Sequence, residues 1–230
     1  MGSQAMRRYL LCAALLCAAL AGCGRNGSSA GPTPTPLPPN LPGVYAGSVA
    51  CSNCNAIAAT LWLRADKRFF LRQRYLGNDG AARDASYGFG RWSWDERAAE
   101  LVLRSRGPER RFKRLDGERL EQLATSAAVK SLFTRDPRAP AFTDRVRFEG
   151  EAELTERGAT FKQCDTGLEL PIVTGGGLTE LRRMSRALSA SQAAPLAAVD
   201  GHIVLGSLGG AKREQLVIDK VIAIKPGTGC

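Results

Sequence analysis

The residues of this 230-residue chain best suited to chemistry are cysteines: Cys51 and Cys54, separated by Ser52 and Asn53, and the more distant Cys164 and Cys230. A Cys-x-x-Cys pair lets two soft sulfurs face one site, which suits Cu(I) once the thiols are deprotonated. Oxidised, the same pair closes a short local disulfide, either inert or redox-sensing. Three further cysteines, Cys12, Cys17 and Cys23, lie in or just after an apolar leader and would be removed or consumed there. The remaining four are an even number for an oxidising compartment, giving two disulfides or one disulfide and a reactive pair. Three connectivities are open, and pairing Cys51 with Cys54 and Cys164 with Cys230 is the simplest. Further soft ligands after the leader are confined to Met184 and His202, so high-capacity copper storage is not expected.

Other chemistry finds little support. His202 is the only histidine and precedes an apolar strand, which suits a structural role better than a triad. Carboxylates are numerous without forming a recognisable acid/base pair. Gly175-Gly176-Gly177 lacks the Lys-Ser/Thr of a phosphate loop and reads as a hinge before a helix. A thioredoxin-like enzyme needs a strand before its Cys-x-x-Cys and a helix after it, whereas residues 60–71 read as strands. No enzymatic activity is expected. Trp92 and Trp94 share one strand face and read as core, with lining of a cavity for an apolar ligand as the alternative.

The N-terminus sets the compartment. Arg7 and Arg8 precede an apolar run from Tyr9 to Leu20, and Leu20-Ala21-Gly22-Cys23 has the form of a bacterial lipobox. Cleavage would leave Cys23 as a lipidated first residue. The run is shorter than the roughly 20 residues needed to span a bilayer, so attachment by lipid is expected rather than by a helix. Residues 24–42 hold six of the chain's twelve prolines and almost no apolar bulk. They read as a tether that favours extended polyproline II.

Without residues 1–22 the chain would carry 30 basic and 22 acidic residues, a net charge of +8. Export removes nucleic acid as a natural partner and leaves anionic lipid or an acidic protein surface. The densest basic run, Arg110, Arg111, Lys113 and Arg114, is interrupted by Phe112 as an inward strand residue would interrupt it. It reads as a solvated face.

Two elements of organisation must position the cysteines. Over residues 43–125 apolar residues alternate with period two, as in Leu61 and Leu63, Phe69 and Leu71, and Trp92 and Trp94. Turn-like strings at 65–67, 77–80, 94–97 and 116–118 separate them, predicting a meander that curls into a small barrel. Residues 126–145 lose the alternation, contain Pro137 and Pro140, and read as a connector. Residues 146–230 begin with Val146, Phe148, Gly150 and Ala152 on one strand face. They continue through a turn at 165–167 to a helix marked by Leu178, Leu181, Ser185 and Leu188, and end in strands over 202–208 and 215–225. The predicted class is all-β, a barrel followed by an OB-like domain with one helix.

Several motifs resemble one family. Gly43-Val44-Tyr45-Ala46-Gly47 followed by Cys51-Ser52-Asn53-Cys54-Asn55-Ala56-Ile57, then Arg74-Tyr75-Leu76-Gly77 and Ser86-Tyr87-Gly88, are similar to the NlpE-like outer-membrane lipoproteins. Ala159-Thr160-Phe161, Cys164-Asp165-Thr166-Gly167, Gly201-His202 and the final Cys230 resemble that family's C-terminal part. The resemblance implies a lipocalin-like first barrel and a disulfide between Cys164 and Cys230. It also implies outer-membrane localisation, a role in copper tolerance and envelope-stress sensing, and a Cpx-type sensor histidine kinase as partner. Ala50 and Ala56 stand where the family pattern has proline and glycine, which alters backbone freedom beside the thiols.

Overall fold

Alternating side chains and short turns produce a β-strand meander that closes on itself. The computed structural model describes residues 40–51, 54–123, 131–188, 194–227 and 229–230. The leader, Cys23 and tether residues 24–39 lie outside the described residues. Eight strands form a closed antiparallel barrel: β1 (Gly43–Val49), β2 (Ala56–Leu63), β3 (Arg68–Leu76), β4 (Ala82–Asp95), β5 (Glu100–Arg104), β6 (Arg110–Arg114), β7 (Arg119–Leu123) and β8 (Ser131–Arg135). Each pairs with its sequence neighbour, and β8 pairs with β1 in the register Tyr45 to Arg135, which leaves no free edge. Strand β8 falls inside 126–145, so that stretch is not wholly a connector. Pro137 and Pro140 mark the chain's departure from the finished barrel.

The inward residues predicted by the alternation fill the barrel. Leu61, Leu63, Phe69, Leu71, Trp92 and Phe112 all belong to one buried cluster, with Tyr45, Leu101, Leu103, Leu120 and Phe133. Phe112 is fully buried between basic neighbours, as its place in the run suggested. Arg111 pairs with Glu100 and Glu109, while Arg110 is drawn into a partly buried bond to Gln73. Burial lowers the pKa of Arg110 from its ordinary value, because the protein replaces water around the guanidinium.

The second sheet contains β9 (Val146–Leu154), β10 (Ala159–Gln163), β11 (Glu169–Pro171), β12 (Leu196–Leu208) and β13 (Ala211–Lys225), in the spatial order β11-β10-β9-β12-β13. Helix α1 (Gly176–Arg186) lies between β11 and β12 in sequence and buries Leu178 and Leu181. A parallel bridge from Ile172 to Leu216 brings the end of β11 against β13, the partial closure of an OB-like sheet. Strand β12 starts at Leu196, earlier than the expected 202, because pairing with β9 extends it through the small residues Ala197 and Ala198.

Sheet and barrel share a core. Trp62, Phe70 and Phe89 occupy the outer barrel face, yet they are buried in one cluster with Phe148, Phe161, Val199 and Leu216 of the second sheet. Phe142 stands at the centre, with its ring centroid 4.7 Å from Phe70 and 5.3 Å from Trp62. The Trp62 indole N–H donates to the Pro140 carbonyl at 3.0 Å. Ionic ties follow the same seam: Arg64 to Glu214, Arg72 to Asp144, and Arg106 to both Glu149 and Asp165.

Candidate functional site

The loop between β1 and β2 carries the thiol pair. Cys51 and Cys54 are joined as a disulfide with their Cα atoms 5.4 Å apart. Both are partly exposed, and the backbone N–H of Asn55 donates to the Leu76 carbonyl at 3.0 Å, fastening the loop to the end of β3. Because β1 runs from Gly43 to Val49, the loop occupies the opposite barrel end from the point where the chain arrives at Asn40. That arrival is itself fixed: Arg135 donates to the Asn40 carbonyl at 2.8 Å and to the Tyr45 hydroxyl at 3.0 Å, and Tyr45 donates to the Leu41 carbonyl. Seven residues of strand, roughly 20 Å, therefore separate the chain's arrival from the thiols.

In the oxidised pair the sulfurs are bonded to each other and cannot ligate a metal as thiolates. Reduction by two electrons and two protons would free two soft donors, a set that fits a low-coordinate Cu(I) ion. Among the described residues no group of three or more His, Cys, Asp or Glu side chains is arranged to hold a metal. A tetrahedral four-ligand zinc site does not fit there. His202 is engaged elsewhere, with Nδ1 3.1 Å from the Asp219 carboxylate on the β12–β13 ribbon.

Cys164 and Cys230 form the second disulfide, with Cα atoms 5.2 Å apart across a separation of 66 residues. A buried polar turn positions Cys164. The Thr166 hydroxyl and backbone N–H both donate to Gln163 Oε1, at 2.6 and 2.7 Å, and the Leu168 N–H donates to the Thr166 hydroxyl. Cys230 is held by its N–H, which donates to Glu151 Oε1 at 2.9 Å. The disulfide borders a cleft of about 530 Å³ between this sheet and the barrel, with Arg91, Arg104 and Arg106 on its walls. The ion pairs of Arg106 were not legible in sequence, since they join residues 43 and 59 positions apart.

Trp92 and Trp94 do not enclose a ligand chamber. Trp92 is 4% exposed, its indole N–H donates to the Arg64 carbonyl at 2.9 Å, and Lys67 caps its ring at 3.8 Å. Trp94 packs against the same filled cluster. The interior is occupied by side chains because large residues from all eight strands converge in a narrow barrel. Cys23, the residue expected to be lipidated, lies outside the described residues.

Residues 45–130 match the family described as the NlpE N-terminal domain. Lipoprotein NlpE of Escherichia coli strain K12 is 27% identical over 170 residues, covering 72% of this chain and 70% of the relative. The crystal structure of the Cpx pathway activator NlpE from Escherichia coli is 24% identical. It covers 80% of this chain and 95% of that chain, with a TM-score of 0.35.

Proposed function

Starting from an NlpE-like chain whose residues 45–130 match the NlpE N-terminal domain, we propose a non-enzymatic, lipid-anchored lipoprotein of the outer membrane that signals envelope stress and contributes to copper tolerance. Cys23 carries the lipid. Cys51 and Cys54 act as the responsive thiols, and a sensor histidine kinase of a Cpx-type two-component system reads the protein. The observation that carries this reading is the place of the thiol pair, joined on the β1–β2 loop at the barrel end remote from Asn40 and partly exposed there, open to a partner or a metal ion. The filled interior favours a sensor over a carrier of hydrophobic molecules.

Were Cu(I) to bind, the Cys51 and Cys54 thiolates would hold it, and it would supply a soft, thiophilic cation. The protein's part is to hold both thiolates on one short loop and leave them open to solvent. Binding requires deprotonated sulfur, so it weakens as pH falls and ends on oxidation. Competition between reduced protein and a Cu(I) chelator tests the assignment. The parent should take one Cu(I) per chain and Cys51→Ser/Cys54→Ser none, while equal uptake by both would leave the pair a structural disulfide. In the host, the same double variant should blunt a copper-evoked Cpx-type reporter response, and Cys23→Ser should release the protein from the outer-membrane fraction.

A further inference from the structure

We propose that the tip of the β12–β13 hairpin is a membrane-docking element that seats on the anionic lipid surface holding the anchor. The inference rests on the lipid-anchor reading above and adds a second, non-covalent contact to it. Leu208, beside the turn, is 46% exposed and Leu205, three residue pairs behind it, 67%, so two large aliphatic side chains project into water on the outer part of this hairpin. Their ribbon pairs Leu205 with Glu214, Gly206 with Arg213, Ser207 with Lys212, and Leu208 with Ala211. Directly paired residues share a face, so one face presents Leu205 and Lys212 and the other Leu208 and Arg213. Gly209 and Gly210 both have positive φ, 59° and 80°, which gives the tight mirror-image turn that keeps the tip narrow. Among the described residues Lys212 and Arg213 have no ion-pair partner. Leu208 at the point, the unpaired cations Lys212 and Arg213 one and two residue pairs behind it, and Leu205 one pair further back match the boundary between acyl chains and anionic headgroups.

The fold puts this tip at the barrel end where the chain arrives. Gly43, where the barrel begins, pairs with Leu63. The next residue, Arg64, donates to both carboxylate oxygens of Glu214 at 2.7 and 2.8 Å, and Glu214 is the partner of Leu205. Beyond that clamp the ribbon runs on for three residue pairs, a projection of about 10 Å. Residues 24–39 can extend to at most about 55 Å, so a lipid on Cys23 allows the tip to reach the same surface. The thiol loop, at the other barrel end, would then face away from the lipid.

The test uses the lipidated full-length mature protein in vesicles of phosphatidylethanolamine and phosphatidylglycerol. A Leu208→Trp variant should show blue-shifted emission and at least about twofold quenching by brominated acyl chains, above the signal of the parent's own tryptophans. In the parent, backbone amides of residues 206–211 should exchange about tenfold more slowly on these vesicles than in detergent. That protection should be lost in Lys212→Glu/Arg213→Glu and in phosphatidylcholine vesicles. Flotation reads the anchor separately: protein that fails to float overturns the anchor reading. Protein that floats with an unquenched, freely exchanging tip overturns the docking and leaves the patch to a protein partner. Equal protection in phosphatidylcholine overturns the anionic assignment.

Discussion

Truncating Phe142 to alanine should destabilise barrel and second sheet together. The side chain is 5% exposed, and its ring lies 4.7, 5.3, 6.0 and 6.2 Å from those of Phe70, Trp62, Phe89 and Tyr87. Removing a buried phenylalanine costs about 3–5 kcal/mol through lost burial and the residual cavity. Edge-to-face aromatic pairs add roughly 0.5–1.5 kcal/mol beyond area, which places Phe142→Ala near the upper end, about 4–5 kcal/mol. For a domain of this size that is a fall in Tm of roughly 8–20 °C. Phe142→Leu keeps much of the volume and should cost about 1–2 kcal/mol. Urea denaturation followed by near-UV circular dichroism for the aromatic seam and far-UV for the strands measures both. A cost below about 1 kcal/mol for alanine would refute the shared core, as would separate transitions for barrel and sheet in the parent protein.

Other expectations rest on separate features. Cys164→Ser/Cys230→Ser opens a loop of 66 residues and should cost about 4 kcal/mol by loop entropy, whereas Cys51→Ser/Cys54→Ser should cost no more than about 2 kcal/mol; equal losses in urea titrations would refute the ranking. Gly177→Ala should destabilise by about 1–3 kcal/mol, because its Cβ would run into the Ile218 carbonyl, although helix propensity alone predicts stabilisation; a raised Tm would reverse the argument. Burial raises the Asp66 pKa, but hydrogen bonds and charge from Arg64 and Arg68 outweigh it and hold the carboxyl below its ordinary value. Its stabilisation is therefore complete above the unfolded value of about 4 and is lost as pH falls through the lower folded value, so Asp66→Asn should flatten acid destabilisation in that window, as read by Tm against pH.

Several features were legible in the chain because they are local. Alternation at Leu61 and Leu63, Phe69 and Leu71, and Trp92 marks one face of each strand, and that face fills the barrel. The parity and placement of four cysteines pointed to Cys51 with Cys54 and Cys164 with Cys230, the pairs the structure joins. Leu178 and Leu181 announced the helix by spacing alone.

What period two cannot encode is a strand buried on both faces. Trp62 and Phe70 alternate with the inward residues and would face water in an isolated barrel; only the arrival of Phe142 and the second sheet buries them. Strand β8 was hidden for a related reason, since Ser131–Arg135 offers just two large apolar residues, Leu132 and Phe133, and becomes a strand by closing against β1. The clamp of Arg64 on Glu214 spans 150 residues, a separation over which no sequence pattern pairs one charge with another. Local steric and hydrophobic preferences thus determined most of the elements and the cysteine pairing. Long-range burial and charge pairing, which exist only once the chain is folded, decided which outer faces became core and how the second sheet seats on the barrel.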